Sequence, residues 1–460
     1  MTHPLEIVIL AAGQGKRMYS DLPKVLHTVA GKPLLGHVLD TARALKPAAI
    51  HVVYGHGGEQ VRAAFAQDRD VTWAHQAEQK GTGHALAQAM PKVADQATVL
   101  VLYGDVPLIR TQTLQELLAA AGNGLALLTV ELDDPGAYGR LLRDPAGRVT
   151  RIVESKDASP EEAAVREIYT GFLAAPAVRL RKWLAALKNH NAQGEYYLTD
   201  IISMAVSEQV AIATCPPRDL SEILGVNSKP ELAQLERMSQ KQQAEKLMQQ
   251  GVTLRDPARL DVRGELSCGR DVVIDVNVVF EGKVVLQDGV QIGPNNVIRD
   301  TTIGAHTRIL PSCVIEESTI GSHCRLGPFT RLRPGAEIAD NVHLGNFVEV
   351  KKSRVGTGSK INHLSYVGDT TVGKDVNIGA GTIVCNYDGA NKHPTIIGDK
   401  AFIGSNTALV APVTVGEGAT IGAGSVITKE APAGELTFAR APQVTKPGWK
   451  RPTKKVKSEK

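Results

Sequence analysis

From Ile292 to Ile427 an aliphatic residue followed by a small or polar one returns about every six residues, and no other feature constrains the fold of this chain as strongly. The anchors are Ile303, Ile309, Ile315, Ile320, Leu326, Leu332, Ile338, Leu344, Val350, Val355, Ile361, Val367, Val372 and Ile378. They resume at Ile397, Ile403, Leu409, Val415, Ile421 and Ile427. A period of six fits neither a helix nor a simple alternating strand. It fits a triangular coil in which each flat side is one short strand with one aliphatic side chain pointing inward. Three sides make a turn, so at a strand spacing of about 4.8 Å this run predicts roughly seven turns and about 33 Å of prism. Glycines following the anchors, among them Gly293, Gly304, Gly321, Gly327, Gly345, Gly356, Gly373, Gly404, Gly416 and Gly422, are expected at corners that need unusual backbone angles. Ordinary antiparallel strands would not hold the spacing for so long.

The remaining 291 residues before that run leave room for further domains. Hydrophobic and charged fractions of 43% and 22% are those of a soluble globular protein, and a net charge of +4 argues against a nucleic-acid binder. Aromatics are only 4%, as expected where a narrow prism admits aliphatics better than rings. Cys215, Cys268, Cys313, Cys324 and Cys385 are scattered, odd in number and without CxxC spacing, which predicts reduced thiols in the cytoplasm and no zinc site. No signal peptide and no membrane span are expected.

The N-terminal part alternates strand-like runs at Leu5–Leu10, Ala49–Tyr54, Val71–Ala74, Thr98–Tyr103 and Leu125–Leu132 with helical patterns such as Leu34–Leu45 and Leu114–Ala121. That alternation predicts an α/β domain with a mostly parallel sheet, whose ligands sit at the carboxyl ends of the strands. After the first strand come Gly13, Gly15 and Arg17, then Pro23-Lys24; glycines let backbone amides approach a phosphate and the cations neutralise it. Neither GxxxxGK[ST] nor GxGxxG is present. After the fourth strand, Tyr103-Gly104-Asp105 places an acid where a hard cation bridging phosphates is wanted, although a turn Asp beside a Gly is the commoner meaning of that pattern.

Between the two patterns, residues 229–250 lack glycine and carry sparse apolar positions at Leu232, Leu235, Met238 and Leu247, predicting a long, largely solvated linker helix. Inside the prism the chemistry must come from residues that interrupt the repeat. Arg331-Leu-Arg-Pro-Gly335 and Lys351-Lys352 supply cations, and Asn362-His363-Leu364-Ser365-Tyr366 brings an imidazole close to a phenol. Residues Cys385 to Thr395 break the period and are expected to leave the prism as a loop. The tail, with Lys450, Arg451, Lys454, Lys455, Lys457 and Lys460, reads as a frayed solvated end, with attraction to ligand phosphates a minor alternative.

Together, Leu10-Ala-Ala-Gly-Gln-Gly-Lys-Arg-Met18, Pro23-Lys24, Gln79-Lys-Gly-Thr-Gly-His84 and Gly104-Asp105 resemble the sugar-phosphate nucleotidylyltransferases. Joined to a hexapeptide prism, the chain to about residue 450 is similar to the bifunctional uridylyltransferase/N-acetyltransferases of UDP-N-acetylglucosamine synthesis. The resemblance implies a Rossmann-like uridylyltransferase domain at 1–228 and a linker helix at 229–250. A left-handed parallel β-helix acetyltransferase domain would follow at 251–445, with a basic tail at 446–460. It further implies UTP, acetyl-CoA and the two amino-sugar phosphates as substrates, Mg²⁺ as cofactor, and a homotrimer with the acetyl sites at its junctions.

Carried over to this sequence, Leu10, Ala11, Ala12, Gly13, Lys24, Gln76, Gly81 and Thr82 would hold the uridine and its phosphates, with Arg17 facing the triphosphate. Asp105 and Asn227 match the magnesium ligands. Tyr103, Gly104, Gly139 and Glu154 fall on the sugar side, as does Tyr169, where the family often has Asn; a phenol can also donate or accept. In the prism, His363 matches the general base, and imidazole suits that task because an unperturbed pKa near 6.5 leaves it mostly neutral. Arg333, Lys351, Tyr366, Asn377, Asn386 and Tyr387 match sugar-phosphate contacts, while Ala380, Ser405, Ala423 and Arg440 match acetyl-CoA contacts. Two competing readings are a nucleotidylyltransferase whose prism is only an oligomerisation or regulatory platform, and a non-enzymatic scaffold. The joint presence of His363, Tyr366 and the Asn386-Tyr387 loop argues against the first, and the polar character of that loop against the second.

Overall fold

The computed structural model describes residues 3–453, so Lys454, Lys455, Lys457 and Lys460 of the tail lie outside the described residues. The chain divides after Gln243 into two compact units.

The first unit is built on a nine-stranded sheet. Its strands are β1 (Leu5–Ala11), β2 (Ala49–Tyr54), β3 (Val71–His75), β4 (Thr98–Tyr103), β5 (Leu125–Glu131), β6 (Gly139–Arg143), β7 (Val149–Val153), β8 (Glu167–Pro176) and β9 (Ile212–Cys215). The path is β9-β5-β8-β4-β1-β2-β3, with β6 and β7 attached at β8. Pairing is parallel except for β8, which runs against β4, β5 and β6, and for the β6–β7 pair. Strand β1 is central and covered on both faces, which is why LEIVILA shows no polar alternation. Val8 and Leu10 enter one core, and Ile7, Ile9 and Ala11 enter the other. Helix α1 (Leu34–Ala44) buries Leu34, Leu35, Val38, Leu39 and Ala42, one stripe at helical spacing.

Between β8's pairing partners the register shifts from Tyr169 to Leu173, a bulge at whose centre Gly171 has φ of 101°. This bulge lies beside the pocket described below.

A 21-residue helix, α2 (Lys229–Gln249), carries the division between the units. It is less solvated than its composition predicts. Leu235 is buried against Met18, Val29, Leu34 and Val226, Glu236 accepts from the Ala30 amide at 2.7 Å, and Leu247 joins the core of the second unit.

The second unit is a parallel β-helix. One side is an 11-stranded parallel ladder from Thr253–Leu254 to Leu436–Thr437. The other two sides form a 17-stranded ladder, because the nine-residue strands Leu260–Cys268 and Val278–Leu286 run across their shared corner. Every anchor in the six-residue series is buried. Coils extend beyond the periodic run at both ends, from the Thr253–Leu254 pairing to that of Leu436–Thr437, and at the first end the two long strands keep a spacing that six-residue counting misses. Small hydroxyl residues close the interior: Thr307, Thr330 and Ser359 each donate to the carbonyl of a glycine one coil on, at 2.7 Å.

The corner glycines are present for a reason other than the one the sequence suggests. Of those following anchors, only Gly327 has a positive φ, 101°. Left-handed corners are instead occupied by residues such as Asn295, Ser312, Phe329, Phe347 and Leu364. A Cβ on Gly304, Gly356, Gly404 or Gly416 would lie 2.4–2.5 Å from backbone of the following coil. Stacking distance, not dihedral freedom, excludes side chains there.

Two candidate active sites

In the first unit the loops at the carboxyl ends of β1, β3 and β4 surround a pocket of about 300 Å³. Leu10, Ala11, Ala12, Gly13, Lys24, Gln76, Gly81, Thr82, Tyr103 and Asp105 all line it. Two glycines make the loops. Gly15 has φ of 62°, and a Cβ there would lie 2.8 Å from Lys24 Cβ. Gly81 has φ of 101°, with a Cβ 2.7 Å from the Tyr196 carbonyl oxygen. The Gly81 loop is pinned by Tyr196, whose amide donates to Lys80 O at 2.8 Å and whose carbonyl accepts from Gly83 N at 2.9 Å. That pinning brings Glu195 into the lining, together with Val25, Gln79 and Ala85. Val25 and Gln79 stand inside or beside the motifs already singled out. Nothing local marks Glu195, because it arrives through a long-range contact.

Lys24, Asp105 and Asn227 converge. The Lys24 ammonium pairs with Asp105 Oδ2 and donates to Asn227 Oδ1 at 3.2 Å. Asn227 reaches this place because the Val226 amide donates to the Asp105 carbonyl at 2.9 Å. One carboxylate and one amide oxygen thus face a single cationic centre. That donor set suits a magnesium ion, which takes one or two protein oxygens and fills its remaining positions with water and phosphate. Among the described residues no cluster of three His, Cys, Asp or Glu side chains offers a fuller cage.

The other expected residues do not line the pocket. Arg17 stands exposed on the single turn Lys16–Met18. Gly104 packs against Ala11, where a Cβ would sit 3.0 Å from the Ala11 Cβ. Gly139 pairs with Tyr169 across β6 and β8. Glu154 Oε1 accepts from Thr199 Oγ1 at 2.8 Å, and burial raises its pKa above the usual carboxylate value against the lowering effect of that bond. Burial also pushes the Tyr103 and Tyr169 phenols up, keeping both protonated at neutral pH. Tyr169 is 6% exposed and its hydroxyl donates to Gly171 O at 2.5 Å, so its hydrogen is spent on the bulge. Gly171 in turn abuts Tyr103, where a Cβ would lie 2.6 Å from the ring.

The second constellation lies on the β-helix. Asn346 and His363 are in register on successive coils, with Asn346 Oδ1 2.8 Å from His363 Nδ1. An oxygen there fixes the proton on Nδ1 and leaves the Nε2 lone pair free. On the next side, Tyr366 lies between Glu349 and Ile383 of the flanking coils. Arg333 donates to Glu349 at 3.0 Å, Lys351 lies 3.6 Å from Asp369, and Asn386 donates to Asp369 at 2.5 Å. A Cβ on Gly368 would lie 2.4 Å from the Tyr366 hydroxyl and 2.9 Å from Asn386 Nδ2, so a glycine lets those groups meet. Residues 386–394 leave the prism as a small hairpin closed by the Tyr387–Lys392 bridge and by His393 N donating to Asn386 O at 2.9 Å. Lys392 on that hairpin has its pKa lowered by nearby Lys351, marking two ammonium groups gathered at one place. Tyr387 is exposed, its hydroxyl donating to Gly389 O at 2.5 Å.

Ala380, Ser405 and Ala423 occupy one column. Asn406 N donates to Ala380 O at 2.7 Å, Gly424 N to Ser405 O at 2.8 Å, and the Arg440 guanidinium reaches back to Ala423 O at 2.8 Å. Asn377 is not brought to the His363 group; it pairs with Lys360, three residues earlier on the same strand as His363. Asn346, Glu349, Asp369 and Lys392 are partners that sequence reasoning missed. Counting one coil, 17 or 18 residues, from His363 or Lys351 finds Asn346 and Asp369.

A nucleotide-sized pocket at the carboxyl ends of a parallel sheet, followed by a parallel β-helix carrying an imidazole among cations, defines a two-part transferase. Comparison agrees: the family of MobA-like NTP transferase domains matches residues 7–254, and bacterial transferase hexapeptide repeats match residues 317–352 and 394–429. The "Bifunctional protein GlmU" of Azoarcus sp. (strain BH72) is 62% identical over 451 residues, covering 98% of this chain and 100% of that protein. The proteins of that name from Cupriavidus pinatubonensis and Chromobacterium violaceum are 60% and 58% identical, covering 98% of this chain and 100% and 99% of their own lengths. The chain belongs to the bifunctional GlmU family. It is an enzyme with a nucleotidyltransferase domain followed by a hexapeptide acyltransferase domain. No described helix is long and apolar enough to cross a membrane.

Proposed function

We propose that the β-helix transfers the acetyl group of acetyl-CoA to the amine of glucosamine-1-phosphate. The N-terminal domain then transfers uridylyl from UTP to the product, giving UDP-N-acetylglucosamine and pyrophosphate. The observation that carries this reading is the pair of polar constellations, one on each unit, in a member of a bifunctional family.

In uridylyl transfer the sugar phosphate oxygen is already anionic and needs no strong base, so positioning and charge neutralisation govern the step. Leu10–Gly13, Gln76, Gly81 and Thr82 hold the nucleotide, Lys24 and Arg17 offset its phosphate charge, and Tyr103, Gly139, Glu154 and Tyr169 border the sugar. Magnesium, when bound by Asp105 and Asn227, supplies further charge neutralisation at the phosphates.

In acetyl transfer His363 Nε2 accepts the proton that the attacking amine gives up, with Asn346 holding the ring in the required tautomer. Arg333, Lys351, Asn386 and Tyr387 hold the sugar phosphate and Tyr366 orients it; Ala380, Ser405, Ala423 and Arg440 bind acetyl-CoA. The site completes itself in a trimer. Phe329, Phe347 and Leu364 support this, being 51%, 55% and 62% exposed in one corner column beside His363, with the two phenyl rings stacked at 5.3 Å. Bulky residues in left-handed conformation, coil after coil, suit a surface covered by another copy. Five unpaired cysteines fit a cytoplasmic setting.

The test follows thiol and pyrophosphate release separately in one preparation. His363→Ala is expected to lose roughly 10²- to 10⁴-fold in acetyl transfer with pyrophosphate release intact, and Asp105→Ala the reverse. Equal loss of both signals in either variant refutes the assignment.

A further inference from the structure

One wall of the nucleotide pocket holds an amide whose orientation its neighbours decide. Gln76 is buried, and its Nε2 lies 3.2 Å from the Gly81 carbonyl oxygen and 3.0 Å from His84 Nδ1. A carbonyl oxygen only accepts, so the NH₂ end must face Gly81; the reversed amide would set two oxygens against each other. A primary amide has two hydrogens. One goes to Gly81 and the other faces His84 Nδ1, which accepts it when the ring proton is on Nε2. Both donors are consumed, and Oε1, which has no protein partner among the described residues, is the polar atom left for a ligand. The His84 ring has the Tyr196 ring tilted against it at 6.3 Å, and the Gln88 amide donates to the His84 carbonyl oxygen at 3.2 Å.

We propose that His84 sets which nucleobase this pocket accepts, by locking the Gln76 amide so that an acceptor faces the base. The inference rests on the uridylyl reading above and deepens it. Uracil presents an imino N3–H that donates to Oε1, whereas cytosine presents a lone pair at N3 and meets the amide oxygen lone pair to lone pair. Without His84 one amide hydrogen loses its partner, only the Gly81 carbonyl still opposes the reversed amide, and a donor faces the base more often than in the wild type. His84 is a positioning residue: it acts through Gln76.

The test uses full-length protein and compares kcat/KM for UTP and CTP, by pyrophosphate release, in the wild type, His84→Ala and His84→Asn. Asn offers Oδ1 in about the place of Nδ1 and so keeps the lock. His84→Ala is expected to lose at least about tenfold of the wild-type preference for UTP over CTP, and His84→Asn to stay within about threefold of it. A ratio is unmoved by partial loss of folded enzyme, and acetyl transfer on the same samples confirms the remainder of the chain. An unchanged ratio in His84→Ala, or an equal fall in both variants, overturns the role of His84. The wild type alone reports on the underlying reading, which fails if it releases no pyrophosphate from UTP or prefers CTP.

Discussion

Adding one methyl group at Gly345 tests whether coil stacking, and not backbone freedom, governs the prism. A Cβ there would lie 1.9 Å from the Asn362 carbonyl oxygen and 2.6 Å from its carbon, 1.5 Å inside the 3.4 Å at which ordinary contact begins. Both atoms are backbone and cannot swing aside, so Gly345→Ala must open the coil. Asn346 and His363 are the adjacent pair in register, and an opening of about 1 Å carries their 2.8 Å contact beyond hydrogen-bonding range. Overpacking of this kind costs about 1–3 kcal/mol, spread over few coils because each coil touches only its neighbours. A 1 Å displacement of a catalytic group costs roughly 10²-fold in rate. Gly345→Ala is therefore expected to lose acetyl transfer by about that factor with pyrophosphate release unchanged, both measured on one preparation alongside thermal unfolding. Gly293→Ala is the control, since its Cβ would meet the Ile309 carbonyl oxygen at 3.1 Å, which a small shift relieves. A folded Gly345→Ala protein with wild-type acetyl transfer would refute the stacking argument.

Two further outcomes follow from the geometry. Because burial raises the Glu154 pKa above 4.5, the fold favours the protonated carboxyl; that contribution is full below pH 4.5 and is lost as pH rises through the folded-state value. Glu154→Gln should thus gain in melting temperature on the wild type between pH 4.5 and 7 and match it near pH 4, and parallel curves would contradict the burial effect. Phe329→Ser combined with Phe347→Ser should convert the proposed trimer to smaller species by light scattering and abolish acetyl transfer while sparing pyrophosphate release, each phenyl being worth roughly 1.5–3 kcal/mol when covered; an unchanged mass rules the column out as the interface.

What the sequence reveals depends on how local the cause is. The prism was legible because each side must place one aliphatic inward, and that demand repeats at fixed spacing. The first pocket loop is legible because Gly13 and Gly15 directly follow a strand, whereas Gln76 and Gly81 enter only through the family resemblance. The corner glycines were misjudged: what excludes a side chain at Gly304 is the coil above it, invisible in a dihedral argument. The linker helix was read as solvated because Leu235 and Leu247 are too sparse to make a stripe, yet each finds a core. Glu195 was missed because only the pinning of Tyr196 to Lys80 brings it to the pocket. Tyr169 illustrates a different limit, since its residue type was plain but the donation of its hydroxyl to Gly171 was not.

The coil length explains how a repetitive core can carry a specific site. One turn converts a fixed sequence separation into contact, so the polar pairs of the second constellation are all about one coil apart. Asn346 and His363 are 17 residues apart, as are Asp369 and Asn386, and Ala423 and Arg440; Arg333 and Glu349 are 16 apart. Each pair stands outside the inward positions, so its members can be polar without touching the core. The hairpin at 386–394 obeys the same logic from the other direction. Thr370, Thr371 and Val372 pair with Thr395, Ile396 and Ile397, so the ladder closes beneath the insertion in unbroken register. The loop can therefore bring Lys392 to Lys351 without shifting any aliphatic anchor, and the repeat is tolerant of function at its corners because its stability is settled inside.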